Sequence, residues 1–394
     1  MIHYIGFYSE PRDIEEREPM KVFASTEKMN YIASILSKSN KVRIVSPGFS
    51  CSHGSFEEKN IEKKDFDVIY LKTHGDGKNN LSLKKILEAV KEIRNYISDH
   101  VRSDDKIIFY SAPSVWLFLK DILTRYDWIL ELEELYYFDK PHINPIRWVY
   151  KSLENGSIAT STKILYVSEA LKRKVRKDGI VIYGPFEDYH PNMQRVRSKT
   201  DVKIIYTGSI DETRGAFLLA EAFAHGSEMR MFQKDLNIEV SFIGYFHGRN
   251  AYKQKREFMT ILDSINRNGI KAVFKENLSG NELREEIIKA DICVMPQKIS
   301  SKFSEYSFPS KLPRYLSYGK LVVSSAIKPV MESSFGDLVI PYYSDDTGEL
   351  LKAITKAIEL VYSGKSCEYE KEILNKIKKM VLEQEENLVR FFDY

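Results

Sequence analysis

The chain has 394 residues, of which 43% are hydrophobic and 29% are charged, as expected for a soluble globular protein with two ordinary domains or one very large one. A formal net charge of +3 is close to neutral for this length, so no nucleic-acid partner is expected. The three cysteines lie far apart, which predicts neither a metal site nor a disulfide framework. The N-terminal residues do not have the pattern of a signal peptide, and no apolar run reaches the ~18 residues of a membrane span. We therefore expect a cytoplasmic protein.

The first half of the chain alternates short apolar segments with amphipathic ones. This pattern predicts strands at residues 2–7, 41–45, 67–71, 106–110, 127–132, 163–167 and 180–183. It predicts helices between them at residues 20–37, 81–97, 113–123 and 144–159. Strands that alternate with helices indicate βαβ units and a parallel sheet.

A second α/β unit follows a polar, basic stretch at residues 190–200, which is predicted to be a linker. Ser279 begins one of its helices, and Glu282 three residues later is typical of a capping box. A long charged helix is predicted at residues 370–392. Strands are predicted at 202–206, 238–243, 272–274, 292–295, 321–323 and 337–340, with further helices at 216–224, 251–266 and 350–362.

Residues 290–324 combine an apolar strand, a loop, a proline-led helix and another apolar strand. Pro309 suits the first turn of a helix, Pro313 can follow at the fourth position without losing a hydrogen bond, and Gly319 is a natural stop. A helix N-terminus is therefore predicted at the carboxyl edge of a strand. Open parallel sheets bind ligands at that edge, and helix N-termini suit phosphate groups.

The segment SEYSFPSKLPRYLSYGKLVVSS resembles the nucleotide-binding segment of retaining GT-B glycosyltransferases of family 4, in particular the bacterial members that build capsules and O-antigens. The resemblance covers residues 203–360 and extends more weakly over the N-terminal half. It implies an α/β fold of two Rossmann-like, doubly wound domains: an acceptor-side domain at 1–190 and a nucleotide-sugar-binding domain at 201–370. It also implies a C-terminal helix at 371–394 that crosses back to the first domain.

The activity implied by the resemblance is transfer of a hexose from a nucleotide-diphosphate sugar, with UDP-sugar as the default donor. The acceptor would be a growing surface polysaccharide or a lipid-linked glycan. Configuration would be retained, and neither a metal nor another cofactor is expected, because GT-B enzymes neutralise the leaving diphosphate with cations and a helix dipole.

The family places two glutamates eight residues apart around its Phe-Pro-Ser-Lys core, and this chain departs from that pattern. Alignment of the core puts Tyr306 at the first position, which contacts the donor sugar, and Arg314 at the second, which contacts the ribose hydroxyls. Arg314 has no acceptor atom. Glu305, one residue before Tyr306, is the nearest carboxylate and a catalytic candidate. The departure supports a second hypothesis, a catalytically silent GT-B protein that binds a glycan or a partner glycosyltransferase.

Two cations are candidates for binding the donor diphosphate. Arg214 follows the glycine turn at Gly208 and lies at a helix entry, where its guanidinium can bind two phosphate oxygens; an exposed helix-start arginine is the alternative. Lys311 lies in the first turn of the Pro309 helix, where a cation opposes the helix dipole and suggests an anionic ligand; a solvated lysine is the alternative. The remaining donor-site candidates are Ser307, Phe308 and Ser310 beside the phosphates and Glu276 near the base.

Carboxylates and basic residues stand out in the first half. Glu131, Glu133 and Glu134 end a predicted strand, and Glu133 could be a general base or the partner of an arginine or lysine. This acidic cluster also leaves open a third hypothesis, sugar-nucleotide epimerisation. The basic sequence LKRKVRK at residues 171–177 could contact anionic lipid headgroups at the inner face of the cell membrane, or be a solvated helix face.

Overall fold

The computed structural model describes residues 1–20, 23–78, 82–135, 145–187, 200–228, 236–248 and 250–393. Contacts between residues divide the chain into two compact units. The first contains Met1–Pro185 and Leu382–Tyr394, and the second contains Phe186–Val381. The predicted linker at 190–200 lies outside the described residues except for Thr200.

The first unit is built on a mostly parallel sheet. Its described strands are β1 (Ile2–Ile5), β2 (Val42–Ser46), β3 (His53–Phe56), β4 (Lys59–Glu62), β5 (Asp67–Tyr70), β6 (Thr73–Asp76), β7 (Lys106–Tyr110), β8 (Asp127–Leu132), β9 (Lys163–Tyr166) and β10 (Gly179–Val181). Eight of them form one sheet in the order β10-β9-β8-β7-β1-β2-β5-β4, in which only β4 is antiparallel. The strand order reverses between β1 and β7, so the sheet has a topological switch point there.

The helices of the first unit connect these strands. They are α1 (Phe23–Leu36), α2 (Leu83–His100), α3 (Pro113–Leu123), α4 (Pro145–Thr160) and α5 (Glu169–Val175). Strands β3, β4 and β6 were absent from the sequence prediction. Their residues are largely polar and exposed, so antiparallel pairing with β6 or β5, and not apolar alternation, defines them.

The second unit is built on a six-stranded parallel sheet in the order β13-β12-β11-β14-β15-β16. Its elements are β11 (Asp201–Ser209), α6 (Ala216–Glu228), β12 (Asn237–Tyr245), α7 (Ala251–Arg267), β13 (Lys271–Glu276), α8 (Gly280–Lys289), β14 (Ile292–Met295), α9 (Lys311–Ser317), β15 (Leu321–Ser325), α10 (Lys328–Met331), β16 (Val339–Tyr342), α11 (Thr347–Tyr362) and α12 (Ser366–Asp393). This is the doubly wound Rossmann order, with its switch point between β11 and β14. The predicted Rossmann-like α/β class is confirmed.

Two predicted helix starts need correction. Helix α9 begins at Lys311, so Pro309 lies before the helix and Pro313 occupies its third position, where no intrahelical partner for an N–H is lost. Ser279 precedes α8, but its side chain makes no capping hydrogen bond, so the capping box is absent. Gly319 lies directly after the α9 cap with φ +65°, as expected for a glycine that ends a helix.

Helix α12 ends in the first unit. Its Leu388 and Phe392 are buried in that unit's core. Gln384 fastens the helix: its Oε1 accepts from the Tyr183 N–H at 2.7 Å, and its Nε2 donates to the Tyr183 carbonyl at 2.8 Å and to the Tyr31 hydroxyl at 2.9 Å. Among the described helices, none is long and apolar enough to cross a bilayer.

We expect Gln384→Ala to lower the free energy of unfolding by about 2–4 kcal/mol, because the buried Tyr183 amide and carbonyl groups lose their partner. Denaturant unfolding followed by circular dichroism measures this loss. Glu386→Ala is the control, since Glu386 is exposed on the same helix and its partner among the described residues is Arg390 at 3.3 Å. Equal stability of the two variants would show that the amide does not fasten α12.

Candidate functional site

The carboxyl ends of β11 and β14 lie at the switch point of the second unit, and a glycine lets α9 approach there. Gly208 has φ +127°, and a Cβ at this position would lie 1.8 Å from the Lys311 Nζ. Any other residue would therefore displace the ammonium and strain the backbone. The predicted candidates Gly208 and Lys311 are in direct contact.

Lys311 is the first residue of α9 and is partly buried. Its Nζ donates a hydrogen bond to the Thr207 carbonyl and lies 5.1 Å from the centre of the Tyr206 ring. Burial first, and then repulsion from Arg214 and Arg314, lowers the pKa of Lys311 to about 7, while Asp211 acts in the opposite direction. An anion bound at this ammonium would stabilise its protonated form.

Arg214 lies in the turn between β11 and α6. Asp211 shapes the turn by accepting from the Arg214 N–H at 2.6 Å, and Gly215, at φ +76°, has no room for a Cβ beside the Pro296 carbonyl. The guanidinium stacks on Phe303 at 4.3 Å. Within the described part of the chain it makes no hydrogen bond or ion pair. Its N–H donors are therefore available to a ligand, as an anion site requires.

Arg314 and Tyr306 occupy the two positions where the resemblance implies glutamates. Arg314 Nε donates to Glu187 Oε1 at 3.0 Å, and the two side chains form an ion pair. The Tyr306 hydroxyl donates to Glu305 Oε1 at 2.8 Å. Each departure from the family pattern is thus accompanied by a carboxylate from another position.

The other donor-site candidates differ in their surroundings. Ser307 is buried, and its N–H donates to the Phe303 carbonyl at 3.1 Å, so its place beside the phosphates stays a prediction. Phe308 is buried 5.5 Å from the Phe335 ring, whereas Ser310 is exposed before α9. Glu276 ends the outermost strand β13, two strands from β11, and pairs with Lys255 at 2.6 Å. The cation next to Glu276 is therefore Lys255 and not Arg214 or Lys311.

Four residues that support these cations were not predicted from the sequence. Asp211 had a local signal, because an acidic residue three positions before a helix-entry arginine is typical of a capped turn. Thr207, Phe303 and Glu187 had none, because each contacts a cation that is far away in the sequence. Thr207 is 104 residues from Lys311, Phe303 is 89 from Arg214, and Glu187 is 127 from Arg314.

The predicted carboxylates of the first unit surround one lysine. Lys28 on α1 donates to Glu133 Oε1, and its Nζ lies 3.7 Å from Glu131 Oε1. The Tyr4 hydroxyl donates to the other oxygen of Glu131, which is fully buried. Of the two interpretations left open for Glu133, the geometry provides the cationic partner; the role of general base stays a prediction.

Burial is the largest effect on Glu131, and it raises the pKa of this carboxyl to about 8. Lys28 acts against this rise, whereas the nearby Glu133 carboxylate adds to it. The surroundings of Glu131 therefore favour its protonated form, while the Lys28 ammonium bonds directly to Glu133.

Neither protein-family models nor curated proteins give a match to this sequence. Solved structures match along the whole chain. A sucrose-phosphate synthase from Thermosynechococcus elongatus has a TM-score of 0.71 at 12% identity, covering 100% of this chain and 99% of that chain. A trehalose-6-phosphate protein from E. coli, bound with UDP-2-fluoro glucose, has a TM-score of 0.71 at 11% identity, covering 99% and 98%.

A third similar structure is an α,α-trehalose-phosphate synthase (UDP-forming) from Burkholderia xenovorans in complex with glucose-6-phosphate. Its TM-score is 0.71 at 10% identity, and the alignment covers 100% of this chain and 99% of that chain. At such identities the likeness establishes the fold. The chain has the GT-B fold, in which two doubly wound α/β units follow one another in the sequence.

We expect Lys311→Met to stabilise the protein at pH 6 by about 1–3 kcal/mol, because a partly buried cation is removed. The folded lysine loses its proton near pH 7, whereas its ordinary value is 10.5. The unfolded chain therefore binds more protons between these values, and wild-type stability rises with pH across this window relative to the variant. Denaturant unfolding at pH 6–9 measures the difference, with Lys302→Met as the control; parallel curves would contradict the prediction.

Comparison of the wild type with Glu131→Gln should give the opposite pH dependence of stability to the comparison with Lys311→Met. The folded carboxyl has a pKa of about 8 against an ordinary 4.5, so the folded state holds the extra proton and wild-type stability falls as pH rises through that window. The amide cannot ionise, and we expect the variant to be more stable than the wild type by about 2 kcal/mol above pH 8. The same unfolding series tests this, and a pH-independent difference would argue against a protonated Glu131.

Proposed function

We propose that this protein transfers a hexose from a nucleoside-diphosphate sugar to a sugar-bearing acceptor. The observation that supports the proposal most strongly is the Arg214 guanidinium, which stacks on Phe303 and has unused N–H donors at the switch point of the second sheet. Lys311 adds a second cation there, without a carboxylate partner among the described residues. Two cations at this edge match the charge of a diphosphate.

In this reaction, negative charge develops on the departing diphosphate and has to be stabilised. The bond between the anomeric carbon and the diphosphate oxygen breaks, the acceptor oxygen bonds to that carbon, and the acceptor hydroxyl loses its proton. Arg214 and Lys311 would neutralise the charge that develops on the diphosphate. Glu305 and Glu133 remain our candidates for contact with the donor sugar and for accepting the proton.

The finer assignments belong to the same proposal. Proteins of this fold bind UDP-2-fluoro glucose and glucose-6-phosphate, which supports a uridine donor and a sugar acceptor. The resemblance of residues 203–360 to family 4 favours a surface polysaccharide or lipid-linked glycan as acceptor, with retention of configuration. We also propose a metal-independent reaction at the inner face of the cell membrane, in which Arg214 and Lys311 provide the positive charge.

The second candidate function is a catalytically silent protein that binds a glycan or a partner glycosyltransferase. It is favoured by the chemistry of Tyr306 and Arg314, since neither can take the place of a carboxylate as a charged acceptor. Donor binding without donor hydrolysis or transfer would support this candidate.

The proposal predicts that one class of nucleotide sugar raises the melting temperature of the wild type and not of Arg214→Ala. A ligand at 100 times its dissociation constant adds about 2.7 kcal/mol to the free energy of unfolding. A panel of UDP-, GDP-, ADP- and dTDP-sugars, read by thermal unfolding, identifies the base.

Arg256→Ala is the matched control, because Arg256 is an exposed arginine on α7 of the same unit. It should respond to the nucleotide as the wild type does. If no nucleotide sugar shifts the wild type, the donor site is lost and the transferase proposal fails. If a donor binds, release of free sugar or transfer to an added glycan separates the enzyme from the silent protein.

A further inference from the structure

Three neighbouring helices of the first unit expose large apolar side chains in their first halves. Trp148 is 70% exposed and Leu83 is 66% exposed, which is unusual for side chains of this size. We call the set the α2–α4 apolar patch; its members are Leu83 and Leu87 on α2, Leu117 and Phe118 on α3, and Trp148, Val149 and Tyr150 on α4.

Contacts between the helices fix the order of the three elements. Arg94 of α2 donates to the Phe118 carbonyl of α3 at 2.8 Å and pairs with Asp121 at 2.7 Å. On the other side of α3, the ring of Trp116 lies against Gly156 of α4, where a Cβ would come within 2.5 Å of the indole. Helix α3 therefore lies between α2 and α4.

The same contacts fix the relative heights of the exposed side chains. Leu87 lies seven residues before Arg94, and Val149 lies seven residues before Gly156. At 1.5 Å per residue, both stand about 10 Å from the α3 contacts towards the helix N-termini. Leu117 and Phe118 lie between them at the level of the contacts. The members of the patch thus share one surface and are not scattered single residues.

The first turns of α4 are its most exposed part. Residues 148–152 are all exposed, and five consecutive helical positions point in every direction around the axis. The exposed fractions of the Trp148, Val149 and Tyr150 side chains are 70%, 56% and 44%. An indole, a valine and a phenol in this position have no role in the core of the first unit.

Positive charge surrounds the patch. Lys91, Lys120 and Lys151 are exposed on the same three helices. The acidic Glu88 pairs with Lys84 and Asp121 pairs with Arg94, and Glu92 of α2 is half-buried. The basic sequence at residues 171–177 lies on and after α5, whose neighbour is α4, since Lys177 donates to the Ala159 carbonyl at 2.9 Å. Its exposed side chains are Arg173, Lys174 and Arg176, and its contact at Ala159 lies ten residues, or about 15 Å along α4, from Val149.

We propose that the α2–α4 apolar patch docks on the surface of a bilayer that contains anionic lipids. Tryptophan and tyrosine favour the boundary between headgroups and acyl chains, leucine and phenylalanine enter the apolar layer, and surrounding lysines attract anionic headgroups. A second copy of this chain fits the surface less well, because a two-fold contact would bring the lysines of both copies together without acidic partners.

Tryptophan fluorescence tests the proposal directly. The chain has three tryptophans, and Trp148 is exposed whereas Trp116 and Trp128 are buried. Vesicles of phosphatidylcholine with about 30% phosphatidylglycerol should shift the emission of Trp148 to the blue and protect it from acrylamide. Brominated lipids should quench it, and 0.5 M salt should reverse the effect, because salt screens the lysines. Trp148→Phe should show no shift.

Lysine variants test the charge. Lys120→Ala and Lys151→Ala should each weaken vesicle binding on the order of fivefold, as the loss of one surface cation near anionic lipid predicts. Lys253→Ala is the control, since Lys253 is an exposed lysine of the second unit. Flotation of the variants with vesicles measures the change. Nucleotide binding should be unchanged in all of them, which separates failure here from failure of the transferase proposal.

Three results would overturn the inference. One is the absence of any change in Trp148 emission with anionic vesicles. Another is equal binding to pure phosphatidylcholine, which would remove the role of charge. The third is a concentration-dependent shift of Trp148 without vesicles, with sedimentation as a dimer, which would assign the patch to a second copy of the chain.

Discussion

The close approach of α9 to the end of β11 is the contact on which the candidate site depends. It requires a residue without a side chain at position 208, because the Lys311 ammonium occupies the space that a Cβ would take. It also requires an acceptor for the partly buried charge, which the Thr207 carbonyl provides. The ammonium is nevertheless incompletely stabilised, as its lowered pKa indicates. Groups held in such an environment are concentrated at functional sites.

Charge is distributed unevenly among three cations of the candidate site, Arg214, Lys311 and Arg314. Glu187 neutralises Arg314, and Asp211 lies near Lys311 while also capping the turn of Arg214. Arg214 is left without an ion pair in the described residues. The positive charge available to a ligand is therefore centred on Arg214 and Lys311. Arg314 does not add to this positive charge, because Glu187 neutralises it.

The sequence was sufficient to predict most of the fold, because the central strands of both sheets are short apolar runs between amphipathic helices. Strand β7, helix α3 and strand β8 have the predicted limits. It was insufficient for β3, β4 and β6, whose polar residues have no period of their own. At the site, the glycine turn and both cations had local signals. The partners Phe303, Glu187 and Lys28 had none, since a residue's partner across a hundred positions is decided by the packing of helices and loops.

One buried group in each unit responds to burial, and the two pKa shifts have opposite sign. In the first unit, burial and Glu133 raise the pKa of Glu131; in the second, burial and two arginines lower the pKa of Lys311. Burial disfavours the charged form of each group, because the protein around it stabilises charge less well than water does. An anion at Lys311 would restore its charge, so ligand binding and proton uptake would be coupled there. The protonation of Lys311 would therefore respond to the charge of a ligand more strongly than the protonation of a solvated lysine would.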